Sequence, residues 1–322
     1  MTEPQTDSGI VTRPHDDAAD FLQDISPFGP FFRKAEPSDK WCFRGHGSEK
    51  FSCKPAAHRS TSVMDAIRQQ VLNRKEAQSN AEQELVEAFL LNNFLSEADF
   101  AGLALPDDTV NSRRRLHRRI KRLVEYLKSD SLQDLGSTTD SIYSEEYHSQ
   151  ISLAQHYGVP TCFLDWTRSP YCACYFAAEN PDTDSPSIHV YALNQTLVHE
   201  IQRDSTLYYG AGIDFITVPR GTNRNLHAQH GLFTSVNLVR IPAAEFRAAS
   251  IEDEVSGLQA SMKRGGIRPA GKPTSILVKF ELAREQAGRA LELCETMGIT
   301  RSSLFPDLGN AAIRALKRFA ND

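Results

Sequence analysis

The sequence predicts an α+β fold with a small mixed or antiparallel sheet at its core, a helical insertion at about residues 64–143 and a helical C-terminus. Three observations predict it. Short aromatic or β-branched runs, each followed by a turn signal, recur from Trp41 to Phe280. A long central stretch carries its apolar residues only at helical spacing, and residues 282–319 return to that spacing. At 322 residues the chain exceeds the usual size of one compact domain, so the expected organisation is a loosely ordered segment over residues 1–36 followed by one large domain over 37–322 that contains the insertion.

Residues 1–36 mix acidic residues, Pro and Gly without a sustained period, leaving room for one short helix at Asp17–Asp24. The segment Trp41-Cys42-Phe43 reads as a strand ending in a turn at Arg44-Gly45-His46-Gly47-Ser48. Leu85, Phe89, Leu90 and Phe94 define a helix over Glu82–Phe100, and Leu116, Ile120, Leu123, Val124 and Leu127 define the next. A third helix runs from Glu145 to Tyr157, with Gly158 as its stop. Thr161–Leu164 reads as a strand, and Ser169 is placed to cap a helix whose first residue is Pro170. Strands are expected at Ser187–Leu193, Leu232–Val236 and Ser275–Phe280, and helices at Asn223–His230, Leu282–Met297 and Asp307–Phe319.

Composition excludes several classes. A formal net charge of −5 argues against non-specific polyanion binding over the whole surface. The N-terminus lacks a basic region followed by an apolar one, and no apolar run reaches the roughly 18 residues that span a bilayer, so the expectation is a cytoplasmic protein without membrane segments. The six cysteines show neither zinc-site spacing nor the density of a disulfide scaffold, so no metal is expected.

Chemistry-capable residues cluster at Phe43-Arg44-Gly45, at Ala154-Gln155-His156-Tyr157-Gly158-Val159-Pro160-Thr161 with Leu164-Asp165-Trp166-Thr167, at Gln229-His230-Gly231-Leu232-Phe233-Thr234, and at Ser303-Leu304-Phe305-Pro306-Asp307. In this order the motifs resemble the FRG domain, a family named for its Phe-Arg-Gly triplet, over about Trp41 to Leu316. The chain departs from the family pattern at His46, where the family usually has Gln, and at Cys162, where it has Arg. A more distant resemblance is to mono-ADP-ribosyltransferases, whose three motifs are matched in order by Arg44-Gly45, by Thr167 leading into Ala173-Cys174-Tyr175-Phe176-Ala177, and by Gln229. This resemblance implies an ADP-ribosyltransferase-like sheet core, NAD as the cofactor, and a macromolecular acceptor in a setting such as bacterial toxin action or anti-phage defence. Arg44 would anchor phosphate or ribose, Thr167 would brace the nicotinamide end, and Gln229 would take the third-motif position, usually a glutamate.

The residue types suit that chemistry. Breaking a nicotinamide glycosidic bond through an oxocarbenium-like state needs a fixed phosphate clamp and groups that hold the ribose hydroxyls. The planar fork of Arg44 meets two phosphate oxygens, and Gly45 lets the backbone approach a ligand. Gln229 can orient but cannot act as a base, which leaves Asp165 or His156 as the base, or a site that binds without catalysis. His156 and Tyr157 beside Asp165 and Trp166 offer a base, a hydroxyl, a carboxylate and an aromatic face. The structural alternative has Asp165 capping the next helix, His156 satisfying a buried backbone group and Trp166 in the core. Arg59 is a second phosphate clamp or a surface ion pair.

Two further readings come from the residues. The run Arg113-Arg114-Arg115-Leu116-His117-Arg118-Arg119-Ile120-Lys121-Arg122 places Leu116 and Ile120 inward and its cations outward, either as a solvated helix face or as a nucleic-acid contact through Arg113, Arg114, Arg115, Arg118 and Arg119. Cys162 with His156 and Asp165 could form a cysteine-hydrolase set, although alternation along the strand favours burial of the thiol.

Overall fold

The computed structural model describes residues 10–34, 39–48, 52–129, 141–203, 212–219, 224–236, 250–265 and 275–320. Its centre is an open, mixed seven-stranded sheet among these residues, in the order β1-β7-β4-β2-β3-β6-β5. The strands are β1 (Ile10–His15), β2 (Trp41–His46), β3 (Leu164–Thr167), β4 (Ser187–Asn194), β5 (Ile213–Ile216), β6 (Gly231–Val236) and β7 (Leu277–Ala283). β1 pairs parallel with β7, and the other neighbours pair antiparallel.

Alternation along the central strands sends side chains to two faces. Phe43, Ile188, Val190, Ala192, Val278, Phe280 and Leu282 pack beneath α1 (Ala18–Ile25), α6 (Pro170–Glu179) and α10 (Ala287–Thr296). Cys42, Leu164, Trp166, Tyr191, Leu193 and Leu277 pack against α7 (Gln195–Arg203) and α9 (Ile251–Gly265). The strand-free stretch forms α2 (Ser62–Leu72), α3 (Asn80–Phe100) and α4 (Val110–Lys128), followed by α5 (His148–His156), which closes on β5 and β6 through Ile151, Phe163, Ile216 and Phe233. The chain continues from α8 (Arg224–Ala228) to α11 (Arg301–Leu304) and α12 (Leu308–Ala320).

Several elements differ from the sequence expectation. The described part of the expected lead-in, residues 10–34, is integral to the fold: β1 forms an edge strand, and Phe21 and Ile25 of α1 are fully buried. Residues 1–9, 35 and 36 lie outside the described residues, as do Asn223 of the expected 223–230 helix and part of the insertion. β2 runs on through His46 because β4 pairs with it along its whole length. The strand expected at Thr161–Leu164 lies at Leu164–Thr167, where β6 supplies the ladder, while the Thr161 hydroxyl instead accepts from the Phe163 amide. β7 likewise extends to Ala283 against β4. No helix among the described residues is long and apolar enough to cross a membrane.

Candidate functional site

β2 and β3 are joined through one residue pair, Phe43↔Thr167, whereas β2 and β4 are paired from Trp41 to His46. Beyond Phe43 the two strands diverge, and a cleft of about 340 Å³ opens beside the split. Its walls come from β2 (Phe43, Arg44, Gly45), β3 (Asp165, Thr167), α5 (Gln155, His156), α6 (Phe176), the α8 turn (Gln229) and Phe305. Four sequence segments far apart in the chain therefore meet at one place, and these are the segments that carry the recognised motifs.

Arg44 bridges the split. Its Nε donates to His46 Nε2 at 2.8 Å, and its Nη1 donates to the carbonyl of Asp165 at 2.6 Å. The residue is half-buried, with its remaining N–H groups unpartnered among the described residues. Asp165 is exposed at the cleft, and Gln155 Nε2 donates to its Oδ2 at 2.8 Å. Gln155 is held in turn by the Thr161 hydroxyl, so a short relay orients the carboxylate. Ser169, not Asp165, caps α6 by accepting from the Cys172 amide, and Pro170 is the first helical residue.

Thr167 is buried, its hydroxyl donating to the Gln229 carbonyl at 2.6 Å and accepting from the Ser169 amide at 3.0 Å. Gln229 Nε2 donates to the Leu304 carbonyl at 3.2 Å, which ties the α8 turn to α11. The following His230 adopts a left-handed backbone (φ 51°) and its carbonyl accepts from the Arg168 amide. The Gln-His-Gly segment thus serves as a tight connection into β6 as well as a cleft wall.

His156 lines the cleft and is exposed, with no hydrogen-bond partner among the described residues; it satisfies no buried backbone group. Tyr157 is 71% exposed and packs edge-to-face on His156, with ring centroids 5.1 Å apart, but does not line the cleft. Trp166 is a core residue: its indole is buried and Nε1 donates to Thr234 Oγ1 at 2.8 Å. Arg59 also stands off the cleft, its Nε donating to the Lys54 carbonyl; burial and then the charge of Arg44 push it below its ordinary pKa. Gly45 meets protein, not open space. A Cβ there would sit 1.9 Å from the Ala173 carbonyl of α6, so the glycine is required for close helix-on-sheet packing.

The cysteine-hydrolase alternative finds no support. Cys162 is buried, and burial drives its thiol well above the ordinary range, the reverse of what a nucleophile needs. All six cysteines are buried and unpaired. No group of three or more His, Cys, Asp or Glu residues suited to a metal ion occurs among the described residues.

The basic run does not fan outward uniformly. Arg113 pairs with Asp108 and Asp99, Arg115 with Glu146, and Arg119 is buried in a bidentate pair with Glu84. Arg114 and Arg118 are exposed without an ion pair among the described residues. Helical periodicity alone cannot separate these roles, because the partner carboxylates come from other segments.

Sequence reasoning passed over Phe176, Phe305 and Gln155 as site residues. Gln155, Phe176 and Phe305 all stand inside the motifs quoted above, which is the signal the sequence carries for them.

Residues 39–185 match the family model described as the FRG domain. The match takes in Phe43-Arg44-Gly45 and the segment from Ala154 to Thr167, and ends before β4, Gln229 and Phe305. No curated protein and no solved structure matches the chain. Over residues 39–185, across β2, the three insertion helices and both β3 and α6, the chain carries an FRG domain.

Proposed function

We propose that the cleft between β2 and β3 binds an NAD-type dinucleotide as substrate and that the protein transfers ADP-ribose to a macromolecular acceptor. The observation that carries this reading is Arg44, a guanidinium fixed at the split of the sheet with donors left over, facing a cleft that also holds an oriented carboxylate. The residues suit the ligand. Phe43, Phe176 and Phe305 offer apolar walls for a planar ring, and Arg44 offers charge-assisted hydrogen bonds to a phosphate. The volume lies near the lower end of the roughly 300–1,000 Å³ range of small-molecule sites, in keeping with one half of a dinucleotide inside the cleft.

In the transfer, the bond from ribose C1′ to nicotinamide breaks with its electron pair leaving on nicotinamide, and a nucleophile of the acceptor bonds C1′ and gives up a proton. Arg44 binds phosphate. Asp165, oriented by Gln155, supplies negative charge near the reacting carbon or accepts the proton, and His156 at the rim is the alternative acceptor. Thr167 and Gln229 act through the wall they build, since both are already bonded to backbone carbonyls. Chemistry of this kind fits a bacterial toxin or an anti-phage protein acting in the cytoplasm.

Those same prior bonds favour a second reading, nucleotide or nucleic-acid recognition without turnover, to which the exposed Arg114 and Arg118 would add affinity. Nicotinamide release from NAD by the purified protein, with and without cell lysate, separates the two. Transfer predicts release that falls at least about 100-fold in Arg44→Ala, in line with the loss of one charge-stabilising donor. Ligand-induced stabilisation without release would leave recognition as the function.

A further inference from the structure

We propose that His46 is the positioning residue for Arg44, its neutral imidazole holding the guanidinium at the cleft, so that an anionic ligand binds only while that ring is unprotonated. The inference rests on the reading that Arg44 meets the ligand's phosphate.

Arg44 and His46 are two apart on β2 and so share a face of the strand, which lets the arginine fold back along it. Nε–H of Arg44 points at His46 Nε2 across 2.8 Å; that nitrogen is therefore the acceptor, and the ring proton sits on Nδ1. The second hold, Nη1 to the Asp165 carbonyl at 2.6 Å, lies at the other end of the group. Two holds on different nitrogens fix the plane of the guanidinium. They occupy Nε and one N–H of Nη1, and leave Nη2 and the second N–H of Nη1 for the oxygens of a phosphate.

Protonation of His46 turns Nε2 into a donor facing a donor and sets two cations in contact. His46 cannot simply swing clear: it is 6% exposed, with its ring edge-to-face on Tyr191 at 5.3 Å. Arg44 must then move, and the clamp is lost. Among the described residues, the ionisable groups near the pair include His189 and Tyr191 on β4, Glu281 behind His189, Cys53, Arg59 and Asp165 near Arg44, and Glu252 beside Cys53. Burial, followed by Lys279, lowers His189 to about 4, and burial pushes Cys53 and Tyr191 upward. These three therefore keep one protonation state over the range, roughly pH 5–8, in which an imidazole ordinarily titrates.

The test is calorimetric titration with ADP-ribose at about pH 8 and about pH 5.5, on the wild type, His46→Gln and His46→Leu. Wild-type affinity is expected to fall about tenfold or more on acidification, the scale of one hydrogen bond to a charged group. His46→Gln, whose amide oxygen accepts without titrating, should keep the affinity at pH 8 and flatten the acid loss. His46→Leu should be weak at both. In parallel, the Arg44 Nε–H resonance in ¹⁵N-arginine spectra should be protected in wild type and His46→Gln at pH 8, and lost in His46→Leu. A His46→Leu protein that binds like wild type, or a His46→Gln protein with the full acid loss, overturns the proposal. If ADP-ribose binds to no variant while the Nε–H signal follows the expected pattern, the nucleotide reading fails and the positioning of Arg44 by His46 stands.

Discussion

Phe43, Arg44 and Gly45 are adjacent, yet each answers to a different constraint. Phe43 fills the core beneath α6, Arg44 faces the cleft, and Gly45 admits the backbone of α6. Alternation along a strand explains why the outer two point one way and the middle one the other. The role of Gly45 is testable. A methyl group there would meet the Ala173 carbonyl, a rigid helix backbone atom with no room to yield. Gly45→Ala should therefore lower stability by about 3 kcal/mol or more, at the upper end for overpacking, read as a drop of several degrees in thermal midpoint. An unchanged midpoint would mean that α6 sits farther from β2 than the packing described here. Arg44→Ala, by contrast, should leave stability within about 1 kcal/mol of wild type, since the residue is half-buried and borders the open cleft.

Among the elements, the pairing of α3 with α4 shows how a charge run can mislead. Arg119 Nε and Nη2 meet both oxygens of Glu84 at 2.8 and 2.6 Å, and the Ser141 hydroxyl and Ile142 amide donate to the same carboxylate. Removing the arginine strands a buried carboxylate, so Arg119→Ala is expected to cost about 3–5 kcal/mol in chemical denaturation. Arg114→Ala and Arg118→Ala should each stay within about 0.5 kcal/mol of wild type, as ordinary exposed positions do. Equal effects at all three positions would contradict the division of the run into buried and exposed cations. The same logic governs α1 and β1: a short amphipathic helix and a six-residue strand carry little independent signal, and they become part of the core because β7 offers an edge and α10 a groove.

For the whole molecule, the family match and the folding unit do not coincide. Residues 39–185 contain β2 and β3, which share one residue pair, while β4, paired with β2 from Trp41 to His46, begins at Ser187. A fragment of residues 39–185 is therefore expected to lack a cooperative unfolding transition and dispersed amide resonances, while the full chain has both. A sharp transition in the fragment would show that the helices alone stabilise it. Pattern along the sequence was enough for α3 and α4 of the insertion, though not for α2, for the cap at Ser169 before Pro170, and for the strands whose two faces alternate, because periodicity and capping are local properties. It also brought Arg44, Asp165, Thr167 and Gln229 into one candidate site through their motifs. Only the tertiary structure decided that β2 and β3 part after Phe43, that Arg44 leans on His46 and Asp165 across the gap, that Trp166 and Arg119 turn inward while His156 stays exposed, and that residues 10–34 complete the sheet. The physical reason is common to all of these: the partner that fixes each group, whether a strand edge, a carbonyl or a carboxylate, is supplied by a distant part of the chain and leaves no periodic trace beside the residue it holds.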